Sequence, residues 1–166
     1  MLKEMKLSGL IMDPSANTPI IILKDLKDRE VISIWIGLLE ASAIAIELEK
    51  IQPPRPMTHD LVKNILSSLN IQVSRVEVTD LKNNTFYALV HLTMDGKTFK
   101  IDARPSDAIA IALRTKSPIY VDERVVKKSK KMELENIRCV DEKEESAEWK
   151  ELLEKMSPED FGKYKM

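Results

Sequence analysis

The segment IDARPSDAIAIALRT contains a stretch of six residues, 102–107, that holds three charged side chains: Asp102, Arg104 and Asp107. The two carboxylates could hold Mg²⁺ or Mn²⁺, because both ions prefer oxygen ligands. The planar guanidinium of the arginine could bind a phosphate group. Hydrolysis of a phosphodiester usually uses a metal ion that is held by carboxylates and a positive group that neutralises charge on the phosphate. The segment contains residue types for both purposes.

His59 is a candidate for the general base of such a reaction. It lies at the start of the segment THDLVKNILSSLN, residues 58–70, where Thr58 is predicted to cap a helix. The positive end of the helix dipole disfavours imidazolium and favours a neutral ring that accepts a proton. A histidine beside Asp60 in a first helical turn is, however, more often a surface or capping residue. No rule of spacing places His59 near Asp102.

The strand before the charged segment is predicted from alternation. Phe99, Ile101 and Ala103 alternate with polar residues, so we expect their face to meet the core while Asp102 points the other way. Pro105 ends this strand.

A helix is predicted to follow the proline. Ser106 can cap it with a side-chain oxygen, and Asp107 lies in its first turn, where a carboxylate matches the helix dipole. All residues of 108–113 are apolar, so the helix should be packed on most sides. The charges at its start therefore also have a purely structural explanation, with Arg104 as the ion-pair partner of Asp107.

The two halves of the chain resemble each other. Residues 40–50 align without gaps on residues 105–115 with five identities. The alignment predicts an internal duplication of a β-β-β-α unit. Chance matching of alanine and isoleucine is the alternative. The charged positions 102, 104 and 107 correspond to Gly37, Leu39 and Ser42, so the repeated frame does not itself require the charges.

Hydrophobic patterning and turn residues predict an α+β fold, in which helices pack on a mixed or antiparallel sheet. Asn83-Asn84 and Asp95-Gly96 are predicted hairpin turns. The predicted strands are residues 4–13, 19–25, 30–36, 72–80, 85–93, 97–103 and 117–121, and the predicted helices are residues 37–50, 59–70, 106–115 and 147–155.

Length and composition limit the classes of protein. With 166 residues, we expect one domain over residues 1–126, then a charged linker and helical tail over residues 127–166, with the basic run KKSKK as a solvated loop. A net charge of -1 gives no general attraction for polyanions. The single cysteine suits a reducing cytoplasm, and no apolar run is long enough for a membrane span. Trp35 is predicted to lie in the core.

Three segments carry a resemblance to a known family: RPMTHDL at 55–61, WIGLLEASAIAIEL and IDARPSDAIAIALR. They are similar to the bifunctional nuclease domain family, and the similarity covers most of residues 5–126. The resemblance is to a bacterial member, and the abundance of Lys and Glu is typical of proteins from hot environments. The resemblance implies an α+β fold, self-association and activity toward RNA and DNA. The polar positions that match the family are Arg55, His59, Asp60, Asp102, Arg104, Ser106, Asp107 and Arg114.

On this basis we predict a nuclease that uses Mg²⁺ or Mn²⁺ and no organic cofactor. The predicted catalytic residues are Asp102, Asp107, His59 and Asp60, with Asp102 and Asp107 as metal ligands. The predicted substrate-binding residues are Arg104, Arg55, Arg114 and Ser106. Two alternatives stay open: a non-catalytic homodimeric module that binds a small anion, a nucleotide or a protein, and a motif that serves only folding and dimer formation.

Overall fold

The computed structural model of the protein describes residues 1–136. Within them, seven strands form a single sheet and four helices accompany it. None of these helices is long and apolar enough to cross a bilayer. The elements are β1 (Leu2–Asp13), β2 (Thr18–Asp25), β3 (Val31–Trp35), α1 (Leu38–Leu48), α2 (Thr58–Ser68), β4 (Gln72–Lys82), β5 (Thr85–Met94), β6 (Lys97–Ala103), α3 (Pro105–Thr115), β7 (Ile119–Asp122) and α4 (Glu123–Asn136).

The sheet consists of two antiparallel meanders joined by a short strand. The strand order is β3-β2-β1-β7-β4-β5-β6. Strand β7 pairs antiparallel with β1 and parallel with β4, so the sheet is mixed. This confirms the predicted α+β fold. Each meander is followed directly by a helix, α1 after β3 and α3 after β6. The duplication itself stays a prediction.

The two predicted hairpin turns in the second meander are present. Asn83 and Asn84 have φ of 48° and 59°, and Asp95 and Gly96 have φ of 51° and 74°. A two-residue hairpin with positive φ at both central residues is a type I′ turn, which Asn, Asp and Gly tolerate best. These turns fix the register of β4 with β5 and of β5 with β6.

One hydrophobic core lies against the sheet and includes residues of α1, α3 and α4. Helices α1 and α3 contact each other, and their alanines let the backbones approach closely. Ala41, Ala45, Ala108 and Ala112 are all at most 2% exposed. The prediction that α3 is packed on most sides is confirmed.

The predicted burial of the β6 side chains is wrong for two residues. Phe99 and Ile101 are 42% and 48% exposed. Strand β6 is the edge of the sheet, and α3 packs on β4 and β5 instead of on β6. All residues of β6 except Ala103 are exposed, because the helices do not cover this edge.

Both predicted helix caps are also wrong. Helix α3 has Arg104 as its N-cap and Pro105 at the first helical position, so Ser106 lies inside the helix. Proline suits that position because it lacks the N–H that a helix start leaves unsatisfied. Helix α2 begins at Thr58, after Met57 as its N-cap. The side chain that binds the helix start is Asp60, which accepts a hydrogen bond from the backbone N–H of Met57 at 2.9 Å.

The basic run at 127–131 is helical, so its prediction as a loop is wrong. It belongs to α4, which continues across the boundary predicted between residues 126 and 127. Val125, Val126 and Ser129 are buried, and Lys128 donates to Asp80 at 2.7 Å. Packing against the sheet overrides the low helix tendency of a run of like charges. The helix predicted at 147–155 lies outside the described residues.

Candidate functional site

The starts of three helices come together at one place. Glu40 lies in the first turn of α1, His59 in the first turn of α2, and Arg104 and Asp107 at the start of α3. We call these four residues the Asp107 cluster. Contacts between the helices, α1 with α3 and α2 with α3, hold the three starts together.

Asp107 is the centre of the cluster. Its Oδ1 lies 2.9 Å from Nε2 of His59, and its Oδ2 accepts a hydrogen bond from Nε of Arg104 at 2.8 Å. His59 and Asp107 are separated by 48 positions in the sequence, so only the fold brings them together. One carboxylate thus orients a ring and a guanidinium at the same time.

Arg104 is held from two sides. Besides its bond to Asp107, its Nη1 donates to Oε1 of Glu40 at 2.7 Å. Its side chain is still 66% exposed. Among the described residues, no hydrogen bond is found from its Nη2. The guanidinium is therefore fixed in orientation while one nitrogen stays available to a ligand from solvent.

The charge states within the cluster follow from these contacts. Partial burial alone would raise the pKa of Asp107, but hydrogen bonds from Arg104 and His59 outweigh it and hold that pKa below its usual value. Asp107 is therefore an anion that only accepts hydrogen bonds, which requires a proton on Nε2 of His59. In the neutral ring, Nδ1 is then free to accept a proton.

Glu40 was not predicted as a site residue. It lies between Leu39 and Ser42 and corresponds to Pro105 in the alignment of the two halves. Gly37 explains how Glu40 can occupy its position. A Cβ atom at Gly37 would overlap Oε2 of Glu40, so the side chain as it lies requires glycine at this position. An acid in the first turn of α1, three residues after a glycine, is the signal that the sequence offered.

Gly37→Ala is expected to displace the Glu40 carboxylate and to free Arg104 on one side. The Glu40 side chain is flexible enough to move, so the fold should persist and the melting temperature should change little. Binding of a single-stranded oligonucleotide at Arg104 should weaken at least about threefold, because the guanidinium loses one of its two anchors and must be ordered by the ligand. Isothermal titration of the variant tests this, with Gly9→Ala as the control, since a Cβ at Gly9 meets nothing within 4 Å. Equal affinities in both variants would contradict the role of Gly37.

Asp60 and Arg114 form a separate contact behind the cluster. Nε of Arg114 donates to Oδ1 of Asp60 at 2.6 Å, and its other nitrogens donate to the backbone carbonyls of Ala110 and Ala43 at 3.0 and 2.9 Å. The Arg114 side chain is only 1% exposed. These bonds join α3 to α1 and α2. A ligand could reach this guanidinium only if the bonds opened.

The other predicted site residues make no side-chain contact within the cluster that the structure shows. Asp102 is exposed and pairs with Leu89 in the sheet. By alternation Asp102 points to the opposite face of β6 from Ala103, which packs against the core. Arg55 is exposed in the loop before α2 and takes no part in the cluster. Ser106 is buried at the start of α3.

The structure does not bring together a set of metal ligands from the predicted residues. In residues 1–136, no group of three or more His, Cys, Asp or Glu side chains is placed to hold a metal ion. Both oxygens of Asp107 are already engaged by Arg104 and His59. A divalent ion at Asp107 would have to displace one of these partners or bind through water. The side chains as placed therefore do not fit a preformed metal centre.

An open cleft of about 270 Å³ adjoins the cluster. Arg104, Glu40 and Ser106 contribute to its polar wall, and Phe86 and Trp35 contribute to its lining. We call it the Phe86 cleft. Trp35 is partly exposed, and its indole N–H donates to Oδ2 of Asp13 at 3.3 Å, so the prediction that it belongs to the core is wrong. Phe86 is the second residue of β5, and it packs partly against the core.

Comparison with known proteins gives consistent results along most of the chain. A family model described as the bifunctional nuclease domain matches residues 21–133. An uncharacterized protein of Mycobacterium tuberculosis is 36% identical over 168 residues, which cover 95% of this chain and 97% of the relative. Bifunctional nuclease 1 of Oryza sativa subsp. japonica is 32% identical over 110 residues, and bifunctional nuclease 1 of Arabidopsis thaliana is 31% identical over 110 residues. The plant matches cover 63% of this chain and about one third of each plant protein, 33% and 34%.

Proposed function

Because this chain belongs to the bifunctional nuclease domain family, we propose that it hydrolyses phosphodiester bonds of RNA, DNA or both at the Asp107 cluster. The observation that carries the proposal is the contact of one carboxylate with both a histidine and an exposed arginine. A base and a phosphate-binding cation are thereby held side by side. The single cysteine suits a reducing compartment, and we place the activity in the cytoplasm.

In the proposed reaction, His59 is the general base. Asp107 holds the proton on Nε2, so Nδ1 takes a proton from a water molecule as that water attacks the phosphorus atom. The bond from phosphorus to the leaving sugar oxygen breaks, and this oxygen takes a proton from solvent. A positioned base of this kind contributes about 10²–10⁴-fold to the rate.

Arg104 is the proposed phosphate ligand. Its orientation is fixed by Glu40 and Asp107, so little further side-chain freedom is lost when it binds a phosphate oxygen. A guanidinium also stabilises the negative charge that develops on the phosphate oxygens during attack. The family resemblance pointed to this residue, and its exposure supports that role.

Metal dependence is a separate part of the proposal. Glu40 and Asp107 carry one negative charge each and Arg104 one positive charge, so the three together have a net charge of -1 at neutral pH. Such a site repels a phosphodiester unless a cation offsets it. We therefore expect cleavage to need Mg²⁺ or Mn²⁺, which would enter with the substrate because its ligands are not preformed. Excess EDTA should reduce cleavage at least about tenfold, and unchanged cleavage in EDTA would contradict this part alone.

The proposed function is tested with the purified full-length protein. Labelled single- and double-stranded RNA and DNA are incubated with the protein in Mg²⁺, in Mn²⁺ and in EDTA, and products are resolved on denaturing gels. An Arg104→Met variant purified in parallel serves as the control for contaminating nucleases. Cleavage that this variant lacks supports the proposal. Binding without any cleavage would instead support the non-catalytic module.

We further propose that the protein forms a homodimer through α2. Leu61, Ile65 and Leu69 are 53%, 48% and 59% exposed, although their spacing places them on one face of the helix. None of the residues of α2 is buried. An exposed apolar stripe of this kind marks an interaction surface. A second copy of the same helix would match it, because a twofold interface is self-complementary.

Ile65→Lys is expected to convert the dimer to a monomer. The charge would lie in the middle of the apolar stripe and lose its hydration on association. Light scattering coupled to gel filtration measures the mass, and the neighbouring exposed residue provides the control Asn64→Lys. We expect a halved mass for the first variant and an unchanged mass for the second. A wild-type monomer at micromolar concentration would rule out the dimer.

A further inference from the structure

The Phe86 cleft has properties that the hydrolytic chemistry does not use. One wall presents the fixed guanidinium of Arg104, and the lining includes the ring of Phe86. Proteins commonly hold a nucleotide with a cation that binds its phosphate and with an aromatic ring that stacks on its base. The cleft opens directly beside the Asp107 cluster, since Arg104 belongs to both.

We propose that the Phe86 cleft binds one nucleotide of a single RNA or DNA strand, with the base against Phe86 and its phosphate on Arg104. This inference rests on the proposed function and names the part of the substrate that the cluster alone cannot hold. Stacking on an aromatic ring tolerates any base, because every base has a π-face. The subsite therefore suits a nuclease that accepts different sequences and both sugar types.

Size and charge favour this ligand over others. The cleft of about 270 Å³ is slightly smaller than the usual range of about 300–1,000 Å³ for ligand pockets, so it accommodates one nucleotide and not a longer stretch. The net charge of -1 over Glu40, Arg104 and Asp107 gives weak affinity for a bare phosphate. The apolar lining must supply the rest of the binding free energy, and a nucleobase can provide it.

The test uses the full-length protein with Trp149→Phe, because Trp35 and Trp149 are the two tryptophans of the chain and Trp35 lines the cleft. Adenosine 5′-monophosphate, adenosine and inorganic phosphate are titrated separately in the presence of Mg²⁺, which offsets the negative charge of the cluster, while Trp35 fluorescence is recorded. We expect a saturable change with the nucleotide and none with phosphate at the same concentrations.

Two variants locate the binding. Phe86→Leu keeps an apolar side chain but removes the ring, and it should weaken nucleotide binding about tenfold. Tyr87→Leu is the matched control, because Tyr87 is the next residue of β5 and points to the other face of the sheet. Its affinity should equal that of the parent. Arg104→Met should weaken binding of the nucleotide but not of adenosine. Because the Arg104 side chain is exposed, this substitution tests the subsite without altering the packing of Phe86 against the core.

The outcomes separate the subsite from the nuclease activity. A protein that cleaves nucleic acid but shows no saturable nucleotide binding, or equal effects of Phe86→Leu and Tyr87→Leu, overturns the subsite and leaves the proposed function standing. A protein that binds the nucleotide with the expected variant pattern but cleaves nothing keeps the subsite and refutes the nuclease.

Discussion

Asp107→Asn is expected to slow cleavage of RNA and DNA by at least about 100-fold. His59 and Arg104 donate to different oxygens of Asp107, and asparagine places an NH₂ donor in one of these two positions, so one of the two contacts is lost. Its NH₂ group would also favour the wrong tautomer of His59, with the lone pair on Nε2. Initial rates on labelled oligonucleotides, taken at saturating and at low substrate, measure the loss.

Asp102→Asn is the matched control for this variant. Both changes replace an aspartate at the strand-to-helix junction, but Asp102 lies exposed on the other side of the sheet edge. We expect Asp102→Asn to retain at least about half of the wild-type rate. The opposite result, in which Asp102 is essential and Asp107 is dispensable, would place the catalytic site on the other face of the sheet.

Arg114→Met is expected to lower the free energy of unfolding by about 3 kcal/mol without removing a ligand contact. The variant leaves the Asp60 carboxylate and the carbonyls of Ala43 and Ala110 without their donor. Removing one partner of a buried ion pair costs about 3–5 kcal/mol, and the lower end applies because Asp60 is 28% exposed. Urea unfolding followed by circular dichroism measures the change.

Arg104→Met separates folding from function in the same experiment. Its ion pairs are exposed, and such pairs contribute less than about 1 kcal/mol to stability. We therefore expect a stable but inactive Arg104→Met and an unstable Arg114→Met that is active at low temperature. Equal losses of stability in the two variants would mean that the cluster serves folding, as the purely structural interpretation holds.

The order of strands and helices could be predicted because it depends on local chemistry. Asn83-Asn84 and Asp95-Gly96 tolerate positive φ, and alternation marked the strands between them. Coverage of a surface by other elements is not local. Phe99 and Leu61 carry the correct periodicity for burial, yet they are exposed because no helix in residues 1–136 covers the edge strand β6 or the outer face of α2.

The candidate site could be predicted only in part for the same reason. Arg104 and Asp107 are three residues apart at a helix start, so their contact was expected from the sequence. His59 and Glu40 reach them from 48 and 64 positions away. Asp102 was grouped with Asp107 by proximity along the chain, although strand alternation already pointed it to the other face. Its predicted role as a metal ligand is untested, and the rate of Asp102→Asn tests it.

The most direct measurement is a double-mutant cycle in single-turnover cleavage with wild type, His59→Ala, Asp107→Asn and the double variant. If the carboxylate works mainly by orienting the ring, the loss in the double variant will be far smaller than the product of the two single losses, because residues that act as one unit show non-additive effects. Losses that multiply, or a His59→Ala variant as fast as wild type, would show that the histidine and the aspartate do not form one catalytic unit.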